Sequence, residues 1–192
     1  MIKSGEKVLS FILLFILVSG CAKDKAILEK MEALQSVPID LCESELMRID
    51  KDSAIAFNKN HQEAPYRMLV YTSTNECSTC AIYNLSEWSV MLNLEKENKV
   101  EFVFILCPET SKVNHVVNTY HSSGLDHSVF IDTCGIFPQR NPHIPKETAF
   151  HTLLIDSKGY VVLAGNPLRN QKIQSLFEKI LNETDVHKEK YL

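Results

Sequence analysis

Apolar residues along this chain gather into short blocks whose spacing switches between two periods. Val8 to Val18 is apolar apart from Ser10, and a charged stretch from Ala22 to about Lys30 follows it. Ile27, Leu28, Met31 and Leu34 then recur at partial helical spacing. Val37 to Leu41 reads as a short extended piece, because Pro38 has no N–H to give to a central ladder. Asp50 to His61 is polar with Ile55 and Phe57 as isolated anchors, and reads as strand or loop. After Pro65, Tyr66 to Thr72 is the first clear strand, and a helix is expected from about Cys77 to Glu97 on Ile82, Leu85, Trp88 and Leu92. Val100 to Leu106 is a seven-residue run of the kind found in strands buried on both faces. Ser111 is a candidate N-cap for a helix to about Ser122, with Val113, Val116, Val117 and Tyr120 on one face. Val129 to Asp132 is another short strand, and Thr133 to Thr148, carrying Pro138, Pro142 and Pro145, is expected as an irregular loop. Phe150–Asp156, a Ser157-Lys158-Gly159 turn and Tyr160–Ala164 form a hairpin. Asn170 to Leu181 is a terminal amphipathic helix, and the polar tail from Asn182 is expected to fray.

The order strand, helix, strand, helix, strand, strand, helix implies an α/β fold. Its sheet has parallel central strands, helices on both faces and a terminal hairpin. Reactive groups in such sheets lie beyond the carboxyl ends of the strands. The loop before Cys77 sits at one of those ends, and it delivers Cys77-Ser78-Thr79-Cys80 to the start of a helix. Residues i and i+3 share a face in a first helical turn, so two sulfurs at that spacing can close a small disulfide ring. The unpaired N–H groups there favour a thiolate at the first cysteine. A redox pair and a static disulfide both fit this pattern. A structural zinc site needs four ligands, and the chain has no second Cys-x-x-Cys.

Composition narrows the setting. The chain has 192 residues, 45% of them hydrophobic, enough for one substantial core. A formal charge of −4 argues against nucleic acid as a partner. Six cysteines point to an oxidising compartment. The basic start, the short apolar block and Val18-Ser19-Gly20-Cys21 resemble a bacterial lipoprotein signal, with residues 1–20 removed and Cys21 lipidated. Residues 21–35 would then be a tether with a short helix, 36–184 the folded domain and 185–192 a tail. Lipid chains would hold an otherwise soluble domain at the extracytoplasmic face of a membrane.

Residues of roughly 66–181 resemble the thioredoxin-like superfamily, most closely the membrane-attached TlpA/ResA-type thioredoxins. The resemblance rests on Cys77-Ser78-Thr79-Cys80 after the first core strand and on strand Val100–Leu106 with its helix and Val129–Asp132. It rests also on Thr152 to Val162 with its Asp156-Ser157-Lys158-Gly159 turn. It implies a thioredoxin-like three-layer α/β/α sandwich and thiol–disulfide exchange with protein substrates, without a cofactor or resident metal. Cys77 would be the attacking thiol and Cys80 the resolving one, with a membrane electron donor or acceptor as partner. Glu76 stands immediately before Cys77, where a carboxylate opposes thiolate formation. Tyr71 and Tyr83 occupy positions where relatives carry acids, so the resemblance transfers no proton acceptor. Phe150 stands where the family has a cis-proline. A trans bond is expected there, since the cis form costs about 2.5–4 kcal/mol before a non-proline residue. A thioredoxin scaffold acting only as a lipid-anchored binding module is the competing class.

Cys107 and Cys134 each follow a core strand at its carboxyl end. As accessory thiols they would form a second disulfide or relay oxidation; the other reading is two small buried residues. Cys42 has no identifiable partner. His121, Asp126 and His127 read as solvated loop side chains, His151 and Asp156 as structural, and Trp88 as core.

Overall fold

In a computed structural model, which describes residues 25–50 and 64–189, two parallel strands form the spine of the molecule. Residues 1–24, 51–63 and 190–192 lie outside the described part, and with them the readings placed on those segments, the expected signal and Cys21 among them. Strand β2 (Tyr66–Thr72) pairs in parallel with β3 (Val100–Leu106), Tyr66 opposite Val100 and Thr72 opposite Leu106. Their carboxyl ends therefore finish level. On one side β3 pairs in parallel with β4 (Val129–Ile131), which pairs antiparallel with β1 (Met47–Ile49). On the other side β2 pairs antiparallel with β5 (Thr152–Asp156), and β5 with β6 (Val161–Ala164). The order across the sheet is β1-β4-β3-β2-β5-β6.

Alternation along the strands splits the core into two layers. Met68, Phe102, Phe104, Leu106 and Leu154 face one side. They pack against α2 (Ser78–Leu85), α4 (Val113–Ser122) and α6 (Gln171–Glu189), through Ile82, Leu85, Val116, Tyr120, Phe177 and Leu181. Leu69, Tyr71, Val103, Ile105, Cys107, Leu153 and Ile155 face the other side. They are covered by Leu34 of α1 (residues 25–36), by Ile39, Leu41 and Cys42, and by Phe137 of α5 (Ile136–Arg140). The result is a three-layer α/β/α sandwich around a mixed sheet, the layering that the resemblance implies. Leu34 is fully buried, so α1 contributes to the second layer rather than only linking it to residues upstream. The extended piece after α1 is held at Gly159, whose carbonyl accepts from the Ile39 N–H at 2.9 Å. Gly159 has φ +88°, and a Cβ there would meet the Ile39 carbonyl oxygen at 3.2 Å, so the hairpin turn has room for glycine alone.

Several elements differ from the sequence expectation. The helix expected from Cys77 to Glu97 breaks into α2, a 3-10 stretch at Ser86–Val90 and α3 (Asn93–Lys96). Ser86 donates its hydroxyl to the Tyr83 carbonyl, which competes with the helical ladder, and the tighter turn brings Trp88 edge-on to Phe102. Ser111 is not an N-cap but lies inside a 3-10 turn (Thr110–Lys112) ahead of α4. The expected loop Thr133–Thr148 contains α5, in which Pro138 falls in the first turn, where its missing N–H is not needed. Strand β1 was not expected, because three residues with Arg48 in the middle carry no readable period. Helix α6 is capped by Asn170 and runs on through the expected tail to Glu189.

Candidate functional site

Loop and helix geometry at the end of β2 presents the Cys-x-x-Cys. Ile82 and Leu85 are buried on the sheet, each contributing roughly 2 kcal/mol, and they seat α2 with its N-terminus at the carboxyl edge. Cys77 is the N-cap and Cys80 lies in the first turn. Their sulfurs are bonded, with the two Cα atoms 5.2 Å apart. The Cys80 N–H donates to Cys77 Sγ at 3.2 Å, and Thr79 Oγ1 lies 3.4 Å from the same sulfur. Once the bond is reduced, those contacts and the helix end favour a thiolate on Cys77. Neither acid nor base falls in the first turn of α2. Both cysteines are exposed residues, at the edge of the groove described below.

Glu76 proved to be engaged rather than free beside the sulfur. Its Oε1 accepts from the Ser73 N–H at 2.9 Å and the Ser73 hydroxyl at 2.8 Å, which closes the loop between β2 and α2. The same oxygen lies 2.8 Å from Nδ1 of His151, a residue 4% exposed. Nε2 of His151 lies 3.2 Å from the Pro145 carbonyl, and the ring meets Tyr71 edge-on at 4.9 Å. His151 is thus a structural residue, as expected, although it closes the 3-10 turn Thr148–Phe150 just ahead of β5 rather than lying in the expected strand, and it also reaches the site. A pairing argument could have found it: Val70 opposite Thr152 puts His151 beside Tyr71, at the root of the β2–α2 loop. The described residues hold no cis peptide, so the chain at Ala149–Phe150 is trans, as expected.

A groove of about 400 Å³ opens beside the disulfide. Cys77, Cys80, Glu76 and His151 border it, and Glu87 and Arg169, ion-paired at 2.7 Å, stand at its rim. Trp88, a core residue as expected, also reaches it.

Cys107 occupies a different environment. It is fully buried, and its thiol donates to Asp132 Oδ2 at 3.2 Å. Asp132 is itself 2% exposed and accepts from the N–H groups of Cys134, Ile136 and Phe137, capping α5. Burial pushes the Cys107 thiol far above its ordinary value, and the Asp132 hydrogen bond and charge add to the shift. Cys42, also buried, is pushed up to about 11, by burial first and then by Asp40 and Asp132. Cys134 is exposed, on the loop before α5. Cys107 and Cys134 do lie at the ends of neighbouring parallel strands, but both are free thiols here. Tyr71, at the position of a relative's acid, is buried and its hydroxyl is raised well above its ordinary value, by burial and then by Cys107; Tyr83 is exposed. Among the described residues no cluster has the ligands for a metal ion.

The reading of His127 as a solvated loop residue does not hold. Its Nε2 lies 3.1 Å from Glu95 Oε1, its Nδ1 2.9 Å from the Ser128 carbonyl, and its ring packs edge-on against Phe104. Burial acts to lower its pKa, but the Glu95 hydrogen bond and charge outweigh this and the net direction is up. His121 packs against Tyr120 on the surface of α4. Asp156 serves the hairpin turn, accepting from the Lys158 and Tyr160 N–H groups.

No family model and no curated protein sequence matches the chain. Among solved structures it is similar to a thioredoxin-like protein from Porphyromonas gingivalis, at 17% identity and TM-score 0.43, over 72% of this chain and 86% of that one. It is similar to a proposed protein disulfide isomerase from Bacteroides thetaiotaomicron, at 19% identity and TM-score 0.40, over 62% and 71%. A thioredoxin-like protein from Bacteroides caccae aligns at 15% identity and TM-score 0.42, over 83% of this chain and 53% of that one.

Proposed function

We propose that this protein is a thiol–disulfide oxidoreductase working through Cys77 and Cys80 on protein substrates. The observation that carries this reading is the exposed disulfide at the first turn of α2, with the Cys80 N–H on Cys77 Sγ. In the reducing direction the Cys77 thiolate attacks one sulfur of a substrate disulfide. The S–S bond breaks, a mixed disulfide forms, and the substrate's other sulfur leaves as thiolate. Cys80, deprotonated, then attacks Cys77 Sγ, closes the Cys77–Cys80 bond and releases the second substrate thiolate. Two electrons pass to the substrate, and a dithiol donor returns the protein to its reduced form. In the oxidising direction a substrate thiolate attacks the Cys77–Cys80 disulfide and the steps reverse. The groove beside the sulfurs supports a polypeptide substrate, with Glu87 and Arg169 available to polar groups at its rim.

The domain is lipidated at Cys21 and faces the extracytoplasmic side of a bacterial membrane, where a membrane-bound partner exchanges electrons with it. The leader pattern and the six cysteines support this placement. A Cys21→Ala variant should leave the membrane fraction for the soluble one.

The catalytic claim is tested by reduction of insulin disulfides with dithiothreitol as donor. The wild type should turn over and Cys77→Ser should fall to the uncatalysed rate. Equal rates for the two proteins would leave a binding module with structural cysteines.

A further inference from the structure

The carboxylate directly before the nucleophile is the unexpected feature of this site, and the structure gives it a partner from the far end of the sequence. Three donors converge on Glu76 Oε1, two from Ser73 and one from His151. The Ser73 donors are neutral and fix the loop. Both ring nitrogens of His151 face oxygen acceptors, the Glu76 carboxylate and the Pro145 carbonyl. A ring with hydrogens on both nitrogens satisfies both contacts, whereas a neutral ring has one hydrogen to offer. Tyr71 meets the ring edge-on from β2, and Glu147, the other carboxylate near the ring, is engaged by Lys30 of α1.

We propose that His151 is a positioning residue for Cys77: it pins Glu76 and neutralises the carboxylate next to the attacking sulfur. The active loop then carries no net charge at the tip of α2, and the helix N-terminus acts on the thiolate unopposed. The role rests on the oxidoreductase reading, since only a thiolate that reacts gives it a use. It assigns work to a pair from two distant segments, Glu76 in the β2–α2 loop and His151 immediately before β5.

The test follows the Cys77 thiolate in reduced protein, by its ultraviolet absorbance and its iodoacetamide alkylation rate as functions of pH. His151→Asn keeps a neutral donor near Nδ1 and removes the charge. It should raise the Cys77 pKa by about one unit. Glu76→Gln should change it little, because the opposing carboxylate is gone and the buried ring, without its counter-ion, gives up one hydrogen and its charge. In Glu76→Gln the further change His151→Asn should have no effect, and that masking is what a merely structural histidine would not show. An unchanged Cys77 pKa in His151→Asn, or an equal shift with and without Glu76, would overturn the proposal. If His151→Asn does not fold, ring nitrogen chemical shifts of the wild type decide: hydrogens on both His151 nitrogens support the proposal, and a neutral tautomer overturns it. A wild type showing this pattern without insulin turnover would overturn the oxidoreductase reading and leave the pairing of His151 with Glu76 in place.

Discussion

Cys77 and Cys107 both stand beyond the carboxyl ends of adjacent parallel strands, and their surroundings give them opposite chemistry. Cys107 follows β3 directly and continues its alternation, so its side chain turns into the second core layer, against Tyr71 and Phe137. There it has a carboxylate for a partner and no solvent, and both hold the thiol protonated. Cys77 is carried past the end of β2 by the Ser73–Glu76 turn and becomes a helix N-cap, exposed and facing an N–H donor. Position at the active edge of a sheet is therefore insufficient for reactivity. What separates the two sulfurs is the length of chain after the strand and whether the next polar group is a donor or an acceptor.

The largest expected effect is on that difference itself. In the reduced, folded protein iodoacetamide should label Cys77 at least about 100-fold faster than Cys107, with the gap closing in denaturant. Peptide mass mapping of timed samples measures it. Labelling of Cys107 at a comparable rate in the folded state would erase the contrast and restore it as an accessory thiol. Cys107→Ala should correspondingly keep insulin turnover within about twofold of wild type.

A second experiment sharpens the contrast from the buried side. Asp132→Ala leaves three N–H groups and the Cys107 thiol without their acceptor. Urea denaturation should show a loss of about 2–4 kcal/mol of stability, while turnover at Cys77 persists under native conditions.

The smallest effect concerns the other histidine–glutamate pair, His127 with Glu95, which serves packing rather than the sulfurs. The folded-state pKa of His127 lies above its ordinary 6.5. Its contribution is therefore fully present below about 6.5 and fades as pH rises through the folded value. Stability measured by urea denaturation from pH 6 upward should fall more steeply in the wild type than in Glu95→Gln, by about 1 kcal/mol or less. Parallel curves would show that the pair carries no charge linkage.

The sequence made the spine and the sulfur pair legible and concealed their partners. Strands β2 and β3 are unbroken apolar runs, and the residues of Cys-x-x-Cys are local, so period and spacing suffice. Helix α5 was hidden because its cap comes from Asp132, at the end of the preceding strand, and because Pro138 imitates a loop. The break after Leu85 depends on Trp88 turning in against Phe102, a residue of another element. His127 and Glu95 are 32 positions apart, and His151 and Glu76 are 75 apart. No local pattern joins them; they meet only when β5 is laid against β2 and α3 against β3. The charge that the sequence set beside Cys77 was real, and its compensation was invisible until the strands were paired.

The central claim is that the Cys77–Cys80 bond opens and closes in use. Its midpoint potential, measured on the intact protein in glutathione redox buffers, tests this directly. A working couple should fall between about −120 and −270 mV, the span of known exchange proteins. A value below about −300 mV would mark a bridge that stays closed, and would contradict the account.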